Sequence, residues 1–189
     1  MQFFDVLNAR RSVRVYQKTR LEPSSLDAIL RAVSLAPSAG CLQAYRILVV
    51  ESAEAKAALA AAAFDQTFVA EASVALVFFA EPDVSGAKYG ERGRSLFSLQ
   101  DATIAAAYAQ LAAAALGIAS CWVGAFDERA VARAVGAPRG LRAVAIVPLG
   151  GPAETPSRPP RRPLADLVVG EGFEAYRPPG ASDASGKRA

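Results

Sequence analysis

Apolar residues follow two patterns along the chain, and together these predict short strands separated by helices. Two uninterrupted apolar runs, residues 47–50 and 74–79, are typical of strands buried on both faces. We expect two further strands at residues 119–123 and 144–149. Elsewhere, apolar residues recur three or four positions apart or form alanine-rich stretches, both of which favour helices; these segments are residues 1–8, 24–35, 52–63, 95–116 and 127–135.

Polar residues and glycines mark where several of these helices begin and end. Ser24, followed three residues later by Asp27, forms a capping-box pattern at the start of the second helix. Asp127 is placed to cap the last helix, and Gly117 stands where the long fourth helix should end. Residues 81–94 are polar and contain glycine, so we expect a mobile segment there.

The order of these elements favours an α+β fold. Helices separate the strands, but the connections are too irregular for a repeated strand–helix–strand unit. We therefore predict a small central sheet flanked by helices, with the long helix at its core. Residues 171–189 are predicted to form an extended or disordered tail. Small residues on the long helix would let another helix backbone approach closely: Ala105, Ala109, Ala112 and Ala113.

The chain contains no histidine, which excludes several kinds of catalytic site. Neither a serine–histidine or cysteine–histidine nucleophilic system nor a histidine-ligated zinc site can form. The two cysteines, Cys41 and Cys121, cannot supply a four-cysteine zinc site or an iron–sulfur cluster, so no metal site is predicted. We expect both to be free thiols in a reducing compartment. Demanding chemistry would then come from a bound group.

Length and charge narrow the class of protein further. A chain of 189 residues is expected to form one domain. A net charge of +3 is too small to indicate nucleic-acid binding. There are 17 arginines against 4 lysines, which suits phosphate recognition but is also the bias of a GC-rich genome. The sequence shows neither a signal peptide nor a membrane span, so a cytoplasmic protein is expected.

Two basic segments are candidates for binding an anion. Arg10, Arg11, Ser12 and Arg14 follow the first helix, and in an extended segment Arg10, Ser12 and Arg14 would project to the same side. Near the C-terminus, prolines flank the pair Arg161-Arg162 and would hold both charges in place at low entropic cost. Taken alone, the first segment is more simply a solvated basic turn and the second a basic linker.

Two segments of small residues are candidates for contact with a flat ligand. Residues 36–46 connect a helix to a strand, and Ser38 and Gln43 offer hydrogen-bonding groups there. In residues 121–126 a strand runs into a glycine turn, whose backbone N–H groups would be free where the strand pairing ends. An ordinary connection and a plain turn are the alternatives. Neither a glycine-rich dinucleotide motif nor a P-loop is present.

In combination, these segments resemble the nitroreductase-like family of FMN-dependent oxidoreductases. The family motif R-R-S-x-R matches residues 10–14, and A-P-S-[AS]-x-N-x-Q-P-W resembles residues 36–45. A G-x-x-x-x-W-x-G turn matches residues 117–124, and R-[RK]-P-[LI] matches residues 161–164. The order and spacing of the four motifs agree over residues 1–169.

The resemblance implies a fold, an activity and an assembly. It implies one FMN-binding domain over residues 1–170, with a mainly antiparallel sheet, in a homodimer whose FMN sites lie at the subunit interface. The implied activity is ping-pong hydride transfer from NAD(P)H through the flavin to an electron-poor small molecule, with no protein acid or base. A specialised oxidase, dehydrogenase or flavin-cleaving enzyme, or a flavin-binding module without turnover, remains an alternative.

The resemblance also implies roles for particular residues. The phosphate would be held by the Arg10–Ser12 segment together with Arg161, Arg162 or both. Arg14 would lie towards the pyrimidine edge of the ring, and backbone N–H groups around Val123 and Gly124 would face the flavin N5. The remaining ring contacts would come from Gln66 and, from the partner subunit, from the loop that carries Pro37, Ser38, Ala39 and Gln43.

Two departures from the family pattern lie in the 36–45 segment. Cys41 stands where the family commonly has asparagine, and Ala44-Tyr45 replaces the usual proline–tryptophan. The lost amide could weaken flavin binding, change the tilt of the ring or leave room for another substrate. Inserts near residues 81–94 cover the flavin in the family; this segment is short, so we expect an open site.

Overall fold

The computed structural model describes residues 2–176. Within them, seven α-helices and four strands alternate in the order that the apolar pattern predicts, apart from two additional helices. The helices are α1 (Phe3–Ala9), α2 (Pro23–Ser34), α3 (Ala53–Ala62), α4 (Phe68–Glu71), α5 (Pro82–Arg92), α6 (Ser98–Ala115) and α7 (Glu128–Ala134). The strands are β1 (Tyr45–Val50), β2 (Val74–Ala80), β3 (Ala119–Ser120) and β4 (Arg142–Gly150).

The four strands form one antiparallel sheet in the order β1-β2-β4-β3. All seven residues of β2 are buried, because this strand pairs on both edges and is covered on both faces. The pairing of β2 with β4 shifts register between Phe78 and Phe79. The α+β prediction with a small, mainly antiparallel sheet is confirmed.

Helices cover both faces of the sheet, and the side chains of β2 alternate between the two layers. Leu76 and Phe78 pack with α2 and α6 on one face. Val77 and Phe79 pack with α3 and α7 on the other. The predicted small-residue face of α6 lies in the first layer, where Ala105, Ala109 and Ala113 are fully buried.

The polar segment of residues 81–94, predicted to be mobile, is largely helical. It forms α5, which leads through a π-helical turn, Gly93–Phe97, into α6, so that α6 begins at Ser98. Small residues allow α5 to pack closely against this turn: a Cβ atom on Gly93 would lie 2.4 Å from the carbonyl oxygen of Ser85. The sequence predicts no helix here, because α5 is held by close backbone packing, which leaves no apolar pattern; the mobility of the segment stays a prediction.

The capping box predicted at Ser24 and Asp27 is absent. The helix α2 begins one residue earlier, with Glu22 as the N-cap and Pro23 in the first turn. Proline is favoured at this position because its fixed φ suits a helix and its missing N–H leaves no donor unsatisfied. Asp27 instead forms an ion pair with Arg31 at 2.7 Å, one helical turn further along. Asp127 does cap α7, accepting a hydrogen bond from the N–H of Ala130 at 2.7 Å.

The chain divides into two compact units, Met1–Pro156 and Ser157–Ala189. In the second unit, short 3₁₀ turns cover Leu164–Asp166 and Glu171–Phe173, and Val169 pairs with Ala175. The tail expected at residues 171–189 lies outside the described residues from position 177 onwards. Among the described residues, no helix is both long and apolar enough to cross a membrane.

Candidate cofactor-binding site

The arginine-rich segment after α1 lies against the edge strand β3. Ser12 forms a parallel bridge with Ser120, and the N–H of Val13 donates to the Ser120 carbonyl at 3.0 Å. The hydroxyl of Tyr16, which is buried, donates to the Val13 carbonyl at 2.9 Å. These contacts hold residues 10–14 beside the strand that leads to the glycine turn.

The three arginines of this segment have different surroundings. Arg11 turns back on α1, because its guanidinium donates to the carbonyls of Asn8 and Arg10. The guanidinium of Arg14 lies over the ring of Phe68, 5.6 Å from its centroid. Arg10 is half-buried, and within residues 2–176 its guanidinium has neither a hydrogen bond nor an ion pair. Arg10 is therefore available to bind an anion.

Glu154 holds the same segment from the opposite side. One oxygen of its carboxylate accepts hydrogen bonds from the backbone N–H groups of Arg14, at 2.6 Å, and Val15, at 3.1 Å. The N–H of Ala153 donates to the Val15 carbonyl, and the N–H of Gln17 donates to the Gly151 carbonyl. The sequence gives no sign of this role, because a single glutamate in a proline-rich stretch belongs to no pattern.

A cavity of about 220 Å³ opens beside the arginine-rich segment. Arg10, Arg11, Ser120 and Glu154 are among the residues that line it. Cys121, next along the chain, is buried, and burial raises the pKa of its thiol, although the nearby Arg14 guanidinium acts in the opposite direction. The thiol therefore stays protonated at neutral pH.

The glycine turn provides free backbone donors, but they begin one residue later than expected. The N–H of Val123 donates to the Ile146 carbonyl at 2.9 Å, so it is not available to a ligand. Strand pairing ends there, and in the part of the chain that the structure describes the N–H of Gly124 has no hydrogen-bond partner. Gln66 fixes this turn, since its amide donates to the carbonyls of Ala63 at 2.8 Å and Ala125 at 3.0 Å.

The 36–45 loop uses most of its polar groups internally. The hydroxyl of Ser38 accepts from the N–H of Gln43 at 2.9 Å, and the Gln43 amide donates to the carbonyl of Ser34 and the hydroxyl of Tyr45. Pro37 is exposed and Ala39 half-buried. These two residues can present an apolar surface to a ring, while Ser38 and Gln43 shape the loop.

The backbone conformation explains the asparagine that the family motif has at the position of Cys41. Cys41 has φ +57°, in the left-handed region that asparagine tolerates far better than other residues with a Cβ atom. We expect Cys41→Asn to raise the free energy of unfolding by about 0.5–1 kcal/mol. Urea denaturation would measure this as a higher midpoint at unchanged slope. Cys41→Ala is the matched control, and a midpoint no higher for asparagine than for alanine would contradict the explanation.

The second pair of predicted arginines lies in the C-terminal unit. Both are exposed, and the Arg162 guanidinium donates to the Asp166 carbonyl at 2.8 Å. Their part in phosphate binding stays a prediction.

Within the first unit, the structure brings together two of the segments that the sequence identified, residues 10–14 and 121–126, with the predicted residue Gln66. Ser12 pairs with Ser120 just before the glycine turn, Arg14 contacts Phe68, and Gln66 bonds to Ala125. The Arg10 guanidinium, the Ser12 hydroxyl and the unpaired N–H of Gly124 are suitable donors for a phosphate and for the polar edge of a flavin. The residues present therefore fit FMN.

Comparison with known proteins agrees with this description. A family model described as "Nitroreductase family" matches residues 7–151. A Thermus thermophilus protein described as an NADH dehydrogenase is 33% identical over 187 residues, covering 85% of this chain and 91% of the relative. A protein of Archaeoglobus fulgidus, described as an NADH dehydrogenase/NAD(P)H nitroreductase, is 32% identical over 153 residues, covering 79% of this chain and 84% of the relative.

Solved structures share the fold. The structure of B. megaterium NfrA2 superposes with a TM-score of 0.84 at 22% identity, covering 92% of this chain and 76% of that one. An FMN-dependent nitroreductase from Clostridium difficile superposes with a TM-score of 0.72 at 25% identity, covering 93% of this chain and 92% of that one. Because the family model spans most of the chain and the fold agrees, the chain belongs to the nitroreductase family.

Proposed function

We propose that the chain is a homodimeric, FMN-dependent oxidoreductase that carries hydride from NAD(P)H to an electron-poor acceptor such as a nitroaromatic or a quinone. Membership of the family supports oxidoreductase activity, and the names of its relatives support NAD(P)H as the donor. When bound, FMN supplies the redox chemistry, because it takes up a hydride from reduced nicotinamide and gives it to the acceptor.

The observation that carries this proposal is the arginine-rich segment held beside the glycine turn. Among residues 2–176, the Arg10 guanidinium has no partner and the Gly124 N–H is unbonded, while Ser12 is paired through its backbone to the strand before the turn. Arg11 is bonded to two carbonyls, whereas the Arg10 guanidinium is half-buried and lines the cavity of about 220 Å³ beside the segment, so its charge is only partly solvated. The segment therefore supports phosphate binding rather than a solvated turn.

Each group in the site has a proposed part in binding. Arg10 and Ser12 bind the phosphate through charge-assisted hydrogen bonds. Arg14 places a positive charge where the ring gains negative charge on reduction. The unbonded Gly124 N–H would donate to the N5 edge of the ring. Since the chain has no histidine, solvent supplies the protons that the acceptor takes up.

An exposed apolar surface supports the homodimer. On α1, Phe3 is 61% exposed and Phe4 75%, and Leu116, just after α6, is 49% exposed. A second copy of the chain would remove this surface from water, which favours association. In that dimer, Pro37, Ser38 and Ala39 would pack on the isoalloxazine ring bound by the partner subunit.

The proposal is tested by the colour of the purified protein. It is expected to be yellow and to sediment as a dimer. When NAD(P)H is added without oxygen, the flavin absorbance at about 450 nm should disappear. Absorbance should return when a quinone is added. Colourless protein that also fails to bind added FMN would refute the proposal.

The alternatives give different results in the same experiment. A specialised oxidase or flavin-cleaving enzyme would bind FMN that NAD(P)H does not bleach. A binding module without turnover would bind FMN but show no steady-state oxidation of NAD(P)H with a quinone.

A further inference from the structure

One buried carboxylate on α6 holds both ends of the turn in the 36–45 loop. Asp101 is 1% exposed. Its Oδ1 accepts a hydrogen bond from the backbone N–H of Ala39 at 2.9 Å, and its Oδ2 accepts one from the N–H of Ala44 at 3.2 Å. A single side chain therefore joins two loop positions that are five residues apart to the long helix.

The residues between these two anchors are in a conformation that they would not adopt alone. Gly40, Cys41 and Gln43 have φ of +58°, +57° and +47°. Left-handed backbone at residues with a Cβ atom persists only where the surrounding structure enforces it. The two hydrogen bonds to Asp101 enclose this stretch, so they are placed to enforce it.

The charge of Asp101 makes the arrangement specific. In the described part of the chain no cation lies within ion-pair distance of its carboxylate, so the two backbone N–H groups are its charge-compensating partners. If the loop moved away, a buried carboxylate would be left without partners, which is strongly unfavourable. The loop is thus confined to the conformation in which both bonds form.

Asp101 and the loop also share an open space. Pro37, Ala39, Phe97 and Asp101 are among the residues that line a cavity of about 570 Å³. The loop therefore presents its apolar residues next to a volume large enough for part of a ring system. On its other side it is covered by α5, since a Cβ atom on Gly40 would lie 2.3 Å from the Tyr89 hydroxyl.

We propose that Asp101 is a positioning residue for the flavin: through the N–H groups of Ala39 and Ala44 it fixes the loop surface that packs on the isoalloxazine ring. It would thereby control FMN affinity and the rate of hydride uptake without touching the cofactor. The flavin part of this inference rests on the proposed function, whereas the holding of the loop does not.

The test compares Asp101→Asn with two controls. Asparagine keeps one acceptor oxygen but turns an NH₂ group towards a backbone N–H, so one bond is replaced by a donor–donor conflict. Asp27→Asn removes an exposed carboxylate elsewhere, and Leu59→Ala lowers stability by opening a cavity in the opposite layer of the core. Amide hydrogen exchange of the loop, the Kd for FMN, and flavin bleaching by NAD(P)H at saturating FMN are measured for each full-length variant.

In Asp101→Asn we expect hydrogen exchange at the Ala39 and Ala44 amides to speed up about tenfold or more, because one charge-assisted hydrogen bond to the loop is lost. We expect the Kd for FMN to rise about tenfold as well, because the same lost bond loosens the loop surface that packs on the ring. Bleaching at saturating FMN should also slow, whereas neither control changes the Kd or the bleaching rate. Unchanged exchange would overturn the holding of the loop. Faster exchange with an unchanged Kd and bleaching rate would overturn the flavin role. Failure of the wild-type protein to bind FMN would refute the proposed function separately, while the exchange experiment still decides the role of Asp101 in the loop.

Discussion

Replacing both Arg10 and Ser12 with alanine is expected to weaken FMN binding by about 100-fold or more. The Arg10 guanidinium has no partner within residues 2–176, so its removal leaves no other group unsatisfied. Hydrogen bonds to a phosphate are charge-assisted and each contributes about 1.5–3 kcal/mol, which corresponds to roughly 10- to 150-fold in affinity. The segment itself should stay in place, because backbone groups of Ser12 and Val13 make its contacts with Ser120.

Fluorescence titration of the cofactor-free variant with FMN measures this effect, and circular dichroism and sedimentation check that the dimer remains folded. Arg20→Ala is the matched control, since it removes an exposed arginine that is ion-paired with Glu51. If the double variant retains FMN as tightly as the control does, the phosphate assignment is wrong.

Gly93→Ala is expected to lower the free energy of unfolding by about 1–3 kcal/mol. A Cβ atom at this position would lie 2.4 Å from the Ser85 carbonyl oxygen and 2.7 Å from its carbon. Both are backbone atoms of α5, so the clash can be relieved only by moving the helix. Since Tyr89 and Lys88 of α5 lie against Gly40, the displacement would also disturb the cover of the 36–45 loop.

Thermal and urea unfolding of the purified variant measure the loss. Ala87→Leu is the control, because it adds side-chain volume at an exposed position of α5, where substitutions usually change stability by less than about 0.5 kcal/mol. Equal stability of Gly93→Ala and the wild-type protein would show that α5 does not pack through this contact.

The sequence predicted the elements whose packing relies on apolar side chains. Residues 74–79 are apolar throughout and form the central strand, and the long helix has its alanine face in the core. It did not predict α5, because that helix packs through Ser85, Gly86 and Gly93. In the sequence alone, such small residues indicate a flexible segment rather than a packed helix. The start of α2 was misplaced because Pro23 is also a favoured first residue of a helix, and the serine-capping pattern one residue later competed with it.

The sequence predicted those site residues that stand close together along the chain. It did not predict the single carboxylates that hold the site in place. Arg10, Ser12 and Arg14 stand within five residues and are recognisable as an anion-binding segment. Glu154 and Asp101 bind backbone N–H groups that are distant along the chain, and only the tertiary fold brings each pair together. The same limit applies to Val123, whose N–H is taken by a strand partner that the sequence does not identify.

The arginine-rich segment joins parts of the chain that are far apart in sequence. Residues 12–17 are bonded on one side to Ser120 and on the other to residues 151–153. A ligand that binds only the folded form adds about 2.7 kcal/mol of stability when its concentration is 100 times its Kd. Here that stabilisation would act where the N-terminus is fastened to the rest of the molecule. In a cell short of FMN, this end would therefore open more often than in the cofactor-bound protein, and more of the chain would be exposed to proteolysis.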